Sequence, residues 1–248
     1  MSALKNDLKL KLKLSPNVRL RMTFEREMLL DEDESIFNDV LHKKYLEMYD
    51  RGIAKQEALL KAALLSDGLL ALLLFGKNVT IPGTSIGIQD IPAAAEVMTL
   101  FASLNFLVLS LAFMNAQAYQ AICEQFTIRL AAKRGIDPDF LSAAHMSTEF
   151  YLKLFRKKMN IFGEDFFDAG VGYSAFYSSL SFLLGMVMLS VLALHISLMA
   201  YGIWMSFSLN WISVLFAVSV SLMNCAAVLV NISPSFNFTI KPSPTIPQ

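Results

Sequence analysis

Two ionisable side chains lie inside apolar stretches of this sequence, where a charge has few ordinary uses. Asp67 lies within EALLKAALLSDGLLALLLFG, residues 57–76, and His195 lies deep within residues 173–203. A carboxylate and an imidazole held away from water can pair, pass a proton or bind an ion. Two other interpretations stay open. If the bilayer begins near Leu64, Asp67 lies at its interface, and a lone intramembrane histidine can be a hydrogen-bonded packing residue.

Polar side chains also recur every seven residues along 97–118 (VMTLFASLNFLVLSLAFMNAQA). Seven residues are close to two helical turns, so these side chains form one polar seam along an apolar helix. The seam is either a packing surface between helices or one wall of a water-filled path surrounded by several copies of the chain. The sequence predicts the second for five pore-lining residues: Glu96, Thr99, Ser103, Ser110 and Gln117.

A second seam follows residues 211–232, where Asn224 and Asn231 continue a seven-residue spacing that begins at Asn210. Asparagine side chains that pair between membrane helices stabilise helix packing, each pair by about 0.6–2 kcal/mol. We therefore expect the asparagine seam to serve packing and the Glu/Ser/Gln seam to serve a pore.

The composition predicts a membrane protein with modest soluble parts. Hydrophobic residues make up 55% of the 248 positions and charged residues 17%, and the mean hydropathy is +0.49, which is too apolar for an ordinary soluble domain. Four apolar stretches, at 57–76, 97–118, 173–203 and 211–232, are long enough to span a bilayer as helices. The predicted fold is a mainly α, polytopic protein whose four-span domain covers 57–232 and includes a helical loop at 118–172.

The flanking segments are basic or rich in proline. Residues 8–14 (LKLKLKL) alternate with period two, and 18–24 (VRLRMTF) nearly do, so residues 1–56 are predicted to form a β-hairpin followed by a helix from about 35 to 50. Residues 233–248 are predicted to be an extended tail. The basic side chains either contact lipid head groups or another anionic ligand, or protect a strand edge. They are Lys9, Lys11, Lys13, Arg19, Arg21, Arg156, Lys157 and Lys158.

The distribution of basic residues predicts the orientation. Twelve Lys or Arg residues fall in 1–61 and seven in 118–173, whereas the 77–93 loop has one and the 204–210 turn none. By the positive-inside rule, both termini and the middle loop are cytoplasmic in a multi-pass protein of a bacterial inner membrane. The N-terminus carries no apolar secretory signal.

Catalytic motifs are missing from the sequence. It contains no glycine-rich phosphate loop, no nucleophile elbow, no cysteine pair at metal spacing and no HExxH, and its three histidines fall in three separate regions. We therefore predict that the chain is not an enzyme and needs no metal or cofactor. A membrane enzyme or carrier built on Asp67, Glu96 and His195 is the alternative, and it requires Asp67 and His195 to meet.

In layout the chain resembles the small four-span effectors of bacterial antiphage systems, of which the Hailong-type channel subunit is one example. The shared features are a four-span core, basic cytoplasmic residues (Lys9 to Arg21 and Arg156 to Lys158) and the absence of a catalytic motif. The resemblance implies that a nucleotide or oligonucleotide binds the basic surface and gates a pore in the seam. The predicted function is a homo-oligomeric ion channel; the alternatives are a non-conducting scaffold or sensor, and a small transporter or membrane enzyme.

Overall fold

The computed structural model describes residues 11–76, 87, 91, 93–136, 138, 141, 170–232 and 234–239. The predicted residues Lys9, Arg156, Lys157 and Lys158 lie outside the described residues. In chain order the elements are β1 (Lys11–Leu14), α1 (Pro16–Leu30), α2 (Asp39–Phe75), α3 (Ala94–Arg134), α4 (Val171–Ser206), α5 (Trp211–Ile232) and β2 (Phe236–Thr239).

Four of the helices, α2 to α5, are long and apolar enough to cross a membrane. The prediction of a mainly α protein with four helices that could span a membrane is therefore confirmed. The shortest of the four, α5, has 22 residues and covers about 33 Å, which matches the roughly 30 Å of a hydrocarbon core.

The helices α2 and α3 are much longer than a membrane is thick. They contain 37 and 41 residues and extend for about 55 and 60 Å. The separate helix predicted at 35–50 and the first span are one continuous helix, α2, which begins at the Asn38 N-cap. Both helices therefore extend beyond the membrane at the same end of the bundle. We name this end the basic end, because Arg129, Lys133 and Arg134 lie there.

The basic end contains its own aromatic core. Met28 of α1 packs with Ile122 and Phe126 of α3. The Phe126 ring stacks on the His42 ring of α2, with centroids 4.9 Å apart, and meets Phe24 edge to face at 5.5 Å. Burial of these apolar surfaces fixes α1 and the first turns of α2 against the extended part of α3.

The predicted β-hairpin at 8–24 is wrong in its second strand, because residues 16–30 are helical. The Ser15 side chain accepts a hydrogen bond from the Val18 N–H, and Pro16 occupies the first helical position. This N-cap and proline pair starts a helix instead of a turn. The strand β1 pairs instead with β2, antiparallel, with Lys11 opposite Thr239. The two ends of the described chain thus meet on the same side of the four helices.

The acidic run at 31–34 (DEDE) lies in the connection between α1 and α2 and organises it. The buried Asp31 carboxylate accepts hydrogen bonds from the Phe37 N–H at 2.7 Å and the Ile36 N–H at 3.2 Å. The Phe37 N–H, together with the Ser35 hydroxyl and the Ile36 N–H, lowers the pKa of Asp31 below its ordinary value of 3.8, and desolvation opposes them.

We expect acid to loosen this connection. A depressed folded-state pKa stabilises the fold above pH 3.8, and that contribution is lost as the pH falls through the lower folded-state pKa. Amide hydrogen exchange at Ile36 and Phe37 should therefore accelerate more steeply below pH 3.8 in the wild type than in Asp31→Asn. The Asp33→Asn variant is the matched control, and identical acid profiles in all three proteins would contradict the proposed role of Asp31.

Candidate functional site

Four polar side chains, one from each membrane helix, form a continuous hydrogen-bonded chain. His195 Nδ1 of α4 lies 2.9 Å from both carboxylate oxygens of Asp67 on α2. His195 Nε2 lies 2.9 Å from Asn224 Oδ1 on α5, and Asn224 Nδ2 donates to Ser103 Oγ on α3 over 2.9 Å. We name this set the buried polar chain: Asp67, His195, Asn224 and Ser103.

The orientation of Asn224 fixes where protons lie in the buried polar chain. Its Nδ2 also points at the Val220 carbonyl oxygen, 2.9 Å away, which can only accept a hydrogen bond. The amide oxygen must therefore face His195, and His195 Nε2 must carry a hydrogen. A second proton is shared between Asp67 and His195 Nδ1, either on the imidazolium or on the carboxyl group. With every hydrogen bond made, the Asp67–His195 pair holds two protons and has no net charge.

The lengths of the four helices predict that the buried polar chain lies near the middle of a membrane. The helix α2 stops at Phe75, and the other three membrane helices begin or end at the same side of the bundle. Measured along each helix from that side, the four residues lie at depths of about 12 to 20 Å. A hydrocarbon layer is about 30 Å thick. The side chain of Asp67 is 13% exposed and that of His195 is 4% exposed, and the Phe106 ring covers the imidazole, with centroids 4.4 Å apart. This position favours the placement of Asp67 inside the bilayer over the interfacial alternative.

The two polar seams pack against each other within one chain. Asn231 Nδ2 donates to Ser110 Oγ over 2.8 Å, and this pair, like Asn224–Ser103, joins residues 121 positions apart. From the first pair to the second, the residue number rises by seven on α3 (103 to 110) and by seven on α5 (224 to 231). The two helices therefore run parallel, and their equal spacings bring the two seams into register. The expected packing role of Asn224 and Asn231 agrees with these contacts.

The predicted pore-lining role does not fit three residues of the α3 seam. Thr99, Ser103 and Ser110 are all buried within the bundle of a single chain. Thr99 Oγ1 donates to the Ala95 carbonyl oxygen, and Ser103 Oγ lies 2.8 Å from the Thr99 carbonyl oxygen. These hydroxyls are hydrogen-bonded within one chain, to their own helix or, for Ser103 and Ser110, also to α5. Their burial favours the packing alternative over the predicted pore-lining role.

No family model, curated protein or solved structure matches this chain. Its function must therefore be inferred from the arrangement of its own residues.

The other two seam residues lie toward opposite ends of α3. Glu96 is half-buried in the first turn, about 10 Å along the helix from Ser103. Gln117 is also half-buried, and its Oε1 accepts a hydrogen bond from Asn17 Nδ2 at 2.9 Å. The alternative site built on Asp67, Glu96 and His195 requires these residues to come together. The structure brings Asp67 and His195 into contact, whereas Glu96 lies apart from both.

The basic residues of the N-terminal segment are dispersed in the structure. Lys11 and Lys13 lie on β1 opposite Thr239 and Asn237. The Arg19 guanidinium lies 5.0 Å from the centre of the Phe238 ring, and Arg21 lies 3.7 Å from a carboxylate oxygen of Glu124. Arg19 and Arg21 therefore contribute partly to holding α1 against β2 and α3.

A second ionic cluster at the basic end was missed from the sequence. Arg129 Nε lies 3.1 Å from Glu34 Oε1, and Lys133 pairs with the same oxygen. The Lys133 hydrogen bond, with the nearby charges of Lys133 and Arg129, lowers the pKa of Glu34 below its ordinary value of 4.5. The partners are separated by about a hundred positions in the sequence, so no local spacing pointed to them.

The buried polar chain does not form a nucleophilic catalytic site or a metal site. Asn224 separates Ser103 from His195, so the imidazole cannot accept the serine proton directly. Within the described part of the chain, no group of three His, Cys, Asp or Glu residues could hold a metal ion. What the four residues can do is hold protons and join the four helices.

The close approach of α3 and α4 supplies a test of the packing role of Thr99. A Cβ atom at Gly202 would lie 2.6 Å from Thr99 Oγ1 and 3.2 Å from Thr99 Cγ2. We expect Gly202→Ala to lower the free energy of unfolding by about 1–3 kcal/mol because of this overlap. Thr99→Ala removes both atoms, so the double variant should recover most of the loss. Unfolding in a denaturing detergent titration measures this, and a fully additive result would contradict the contact.

Proposed function

We propose that this protein is a homo-oligomeric membrane ion channel whose helix packing is controlled by the protonation of the Asp67–His195 pair. The observation that supports the proposal is the buried polar chain, which places an ionisable pair at mid-depth between four spans. Ionisable residues at such depth are costly, and where they occur they commonly belong to ion paths or proton relays.

The buried polar chain has the properties of a two-state element. It joins α2 to α4 through Asp67–His195, α4 to α5 through His195–Asn224, and α5 to α3 through Asn224–Ser103. Loss of one proton leaves a net charge in the membrane and removes a hydrogen bond from this series. Both effects favour a rearranged or hydrated packing of the helices, so proton content biases which packing is populated.

The exposed half of α4 supports an assembly of several copies. All ten residues from Phe182 to Val191 are exposed, and nothing lies within 4 Å of a Cβ atom built at Gly185. A helix exposed on all sides, with small residues such as Ser178 and Gly185, offers surface for close packing against another membrane helix. In this proposal the ion path is formed between copies, and the buried polar chain controls it from within each copy.

Orientation and biological role complete the proposal. We propose that both termini lie in the cytoplasm of a bacterial inner membrane, an orientation that the excess of basic residues in 1–61 and 118–173 supports. The resemblance in layout to antiphage effectors implies that the channel depolarises the membrane in response to an anionic cytoplasmic ligand, a nucleotide or an oligonucleotide.

The proposal is tested by the mass of the detergent-solubilised complex together with planar bilayer recordings between pH 5 and 8. We expect a mass equal to a small whole number of chains and a conductance that changes with pH. A monomeric mass, with no current at any pH or voltage, would contradict the channel.

A non-conducting membrane sensor or scaffold is the second candidate. It is favoured by a specific observation: Ser103 and Ser110 are hydrogen-bonded inside one chain and offer no polar wall to water. In that case the buried polar chain would only lock the bundle. Planar bilayer recordings distinguish the two candidates, because a sensor or scaffold carries no current even when it is oligomeric.

A further inference from the structure

A pocket of about 220 Å³ lies at the basic end, where the beginning of α2 faces the last turns of α3. Asn38, Asp39 and His42 line it on the α2 side, and Arg129 and Lys133 are among the residues that line it on the α3 side. None of these residues belongs to the buried polar chain in the membrane. The pocket is therefore a candidate binding site that is distinct from the buried polar chain.

The charge of the pocket favours an anion. Arg129, Lys133 and Arg134 supply three cationic groups, whereas Glu34 and Asp39 supply two carboxylates. The pocket also borders the N-terminus of α2, a 37-residue helix whose dipole places partial positive charge there. Helix N-termini combined with Arg or Lys side chains bind phosphate-like anions.

One N–H donor of Arg129 has no acceptor among the described residues. The Nε of Arg129 pairs with Glu34, and its Nη2 donates to the Asp31 carbonyl oxygen over 2.6 Å. Its Nη1 is buried and, among the atoms that the structure describes, has no hydrogen-bond partner. A buried guanidinium nitrogen without an acceptor is costly. An oxyanion with several oxygens, unlike the single carboxylate of Glu34, could satisfy more than one donor of Arg129.

Glu34 lines the pocket and pairs with two of its cationic residues. One of its carboxylate oxygens accepts from both Arg129 and Lys133. Its backbone has φ 56°, in the left-handed region that a glutamate rarely adopts. The ion pairs thus hold a connecting segment in an unfavourable conformation, from which an anion that competes for the same cations would release it.

We propose that this pocket binds a phosphate-type oxyanion and that Glu34 is its built-in competitor, displaced when the anion binds. At about 220 Å³ the pocket is smaller than most small-molecule sites, so it fits a phosphate or pyrophosphate group and leaves any attached nucleoside outside. Because α2 begins beside the pocket at Asp39 and continues unbroken past Asp67, displacement of Glu34 would act on the helix that carries Asp67. Binding itself does not depend on the channel proposal.

The test is calorimetric titration of the full-length protein in detergent with inorganic pyrophosphate and, in parallel, with a nucleoside diphosphate. We expect Glu34→Gln to bind pyrophosphate about tenfold more tightly than the wild type, because the competing carboxylate is gone, and Lys133→Gln to bind it about tenfold more weakly. Equal affinities for the two ligands indicate that only the phosphates are recognised, and tighter nucleotide binding indicates a nucleotide ligand.

Arg21→Gln is the matched control, because Arg21 is a basic residue near Glu124 that does not line the pocket. Its affinity for pyrophosphate should equal that of the wild type. The proposal is overturned if neither the wild type nor Glu34→Gln binds pyrophosphate, if Glu34→Gln binds no more tightly than the wild type, or if Arg21→Gln weakens binding as much as Lys133→Gln does. Lys133 is half-exposed, so its variant remains informative even if Glu34→Gln fails to fold.

Discussion

Replacement of Asp67 with alanine is expected to lower the free energy of unfolding by about 3–5 kcal/mol, the typical cost of removing one member of a buried ion pair. His195 would be left with a ring nitrogen that faces no acceptor, inside a bundle that is almost closed to water. The large loss of stability comes mainly from burying an imidazole without its carboxylate partner, and less from the loss of the contact itself. Unfolding in a denaturing detergent titration, followed by helical circular dichroism, measures it.

Asn231→Ala is the control for this experiment. Asn231 on α5 and Ser110 on α3 belong to the same four-helix bundle and form a neutral hydrogen bond of similar length. Loss of this hydrogen bond should cost only about 0.6–2 kcal/mol. Replacement of both Asp67 and His195 with leucine should cost less than Asp67→Ala alone, because no unpaired charge is then buried. If Asp67→Ala is no more harmful than Asn231→Ala, the pair is not a buried ionic interaction.

The second large effect is expected on the pH dependence of ion flux. In proteoliposomes, the wild-type flux should change at least about tenfold between pH 5 and 8, since protonation of the Asp67–His195 pair alters the helix packing. Asp67→Asn keeps an oxygen acceptor for His195 Nδ1 but removes the titratable carboxyl group, so its flux should depend much less on pH than the wild-type flux does.

Two variants separate protonation from packing in the flux experiment. His195→Gln should also weaken the pH dependence, because it removes the second titratable group of the pair. Asn231→Ala, which loosens the packing of α5 against α3 without changing an ionisable group, should retain the wild-type pH profile. If the wild-type pH profile is kept in Asp67→Asn and lost in Asn231→Ala, the pH dependence does not come from protonation of the Asp67–His195 pair.

The sequence predicted the parts of the buried polar chain but not its connections. Hydropathy located the four spans, and the seven-residue spacings correctly placed Ser103 with Ser110 and Asn224 with Asn231 on shared helix faces. Spacing within one helix does not identify the helix that it meets. The parallel alignment of α3 and α5, which joins each serine to an asparagine 121 positions away, is a property of the tertiary fold.

Two other features show why local patterns were insufficient. The alternation in 18–24 resembled a strand, but the Ser15 cap and Pro16 started a helix whose Phe24 and Met28 pack on α3. Similarly, Glu34 belongs to a local acidic run, and only the fold brings it to Arg129, 95 positions later in the sequence. In both cases long-range apolar or ionic contacts outweighed a short sequence pattern.

The most direct test of the central claim is a count of the protons held by the Asp67–His195 pair. Nuclear magnetic resonance of protein with ¹⁵N-labelled histidine and ¹³C-labelled aspartate reports both groups in lipid at pH 7. The account predicts a hydrogen on His195 Nε2 together with one further proton, on either Nδ1 or the Asp67 carboxyl group. An ionised Asp67 beside a neutral His195 would contradict it.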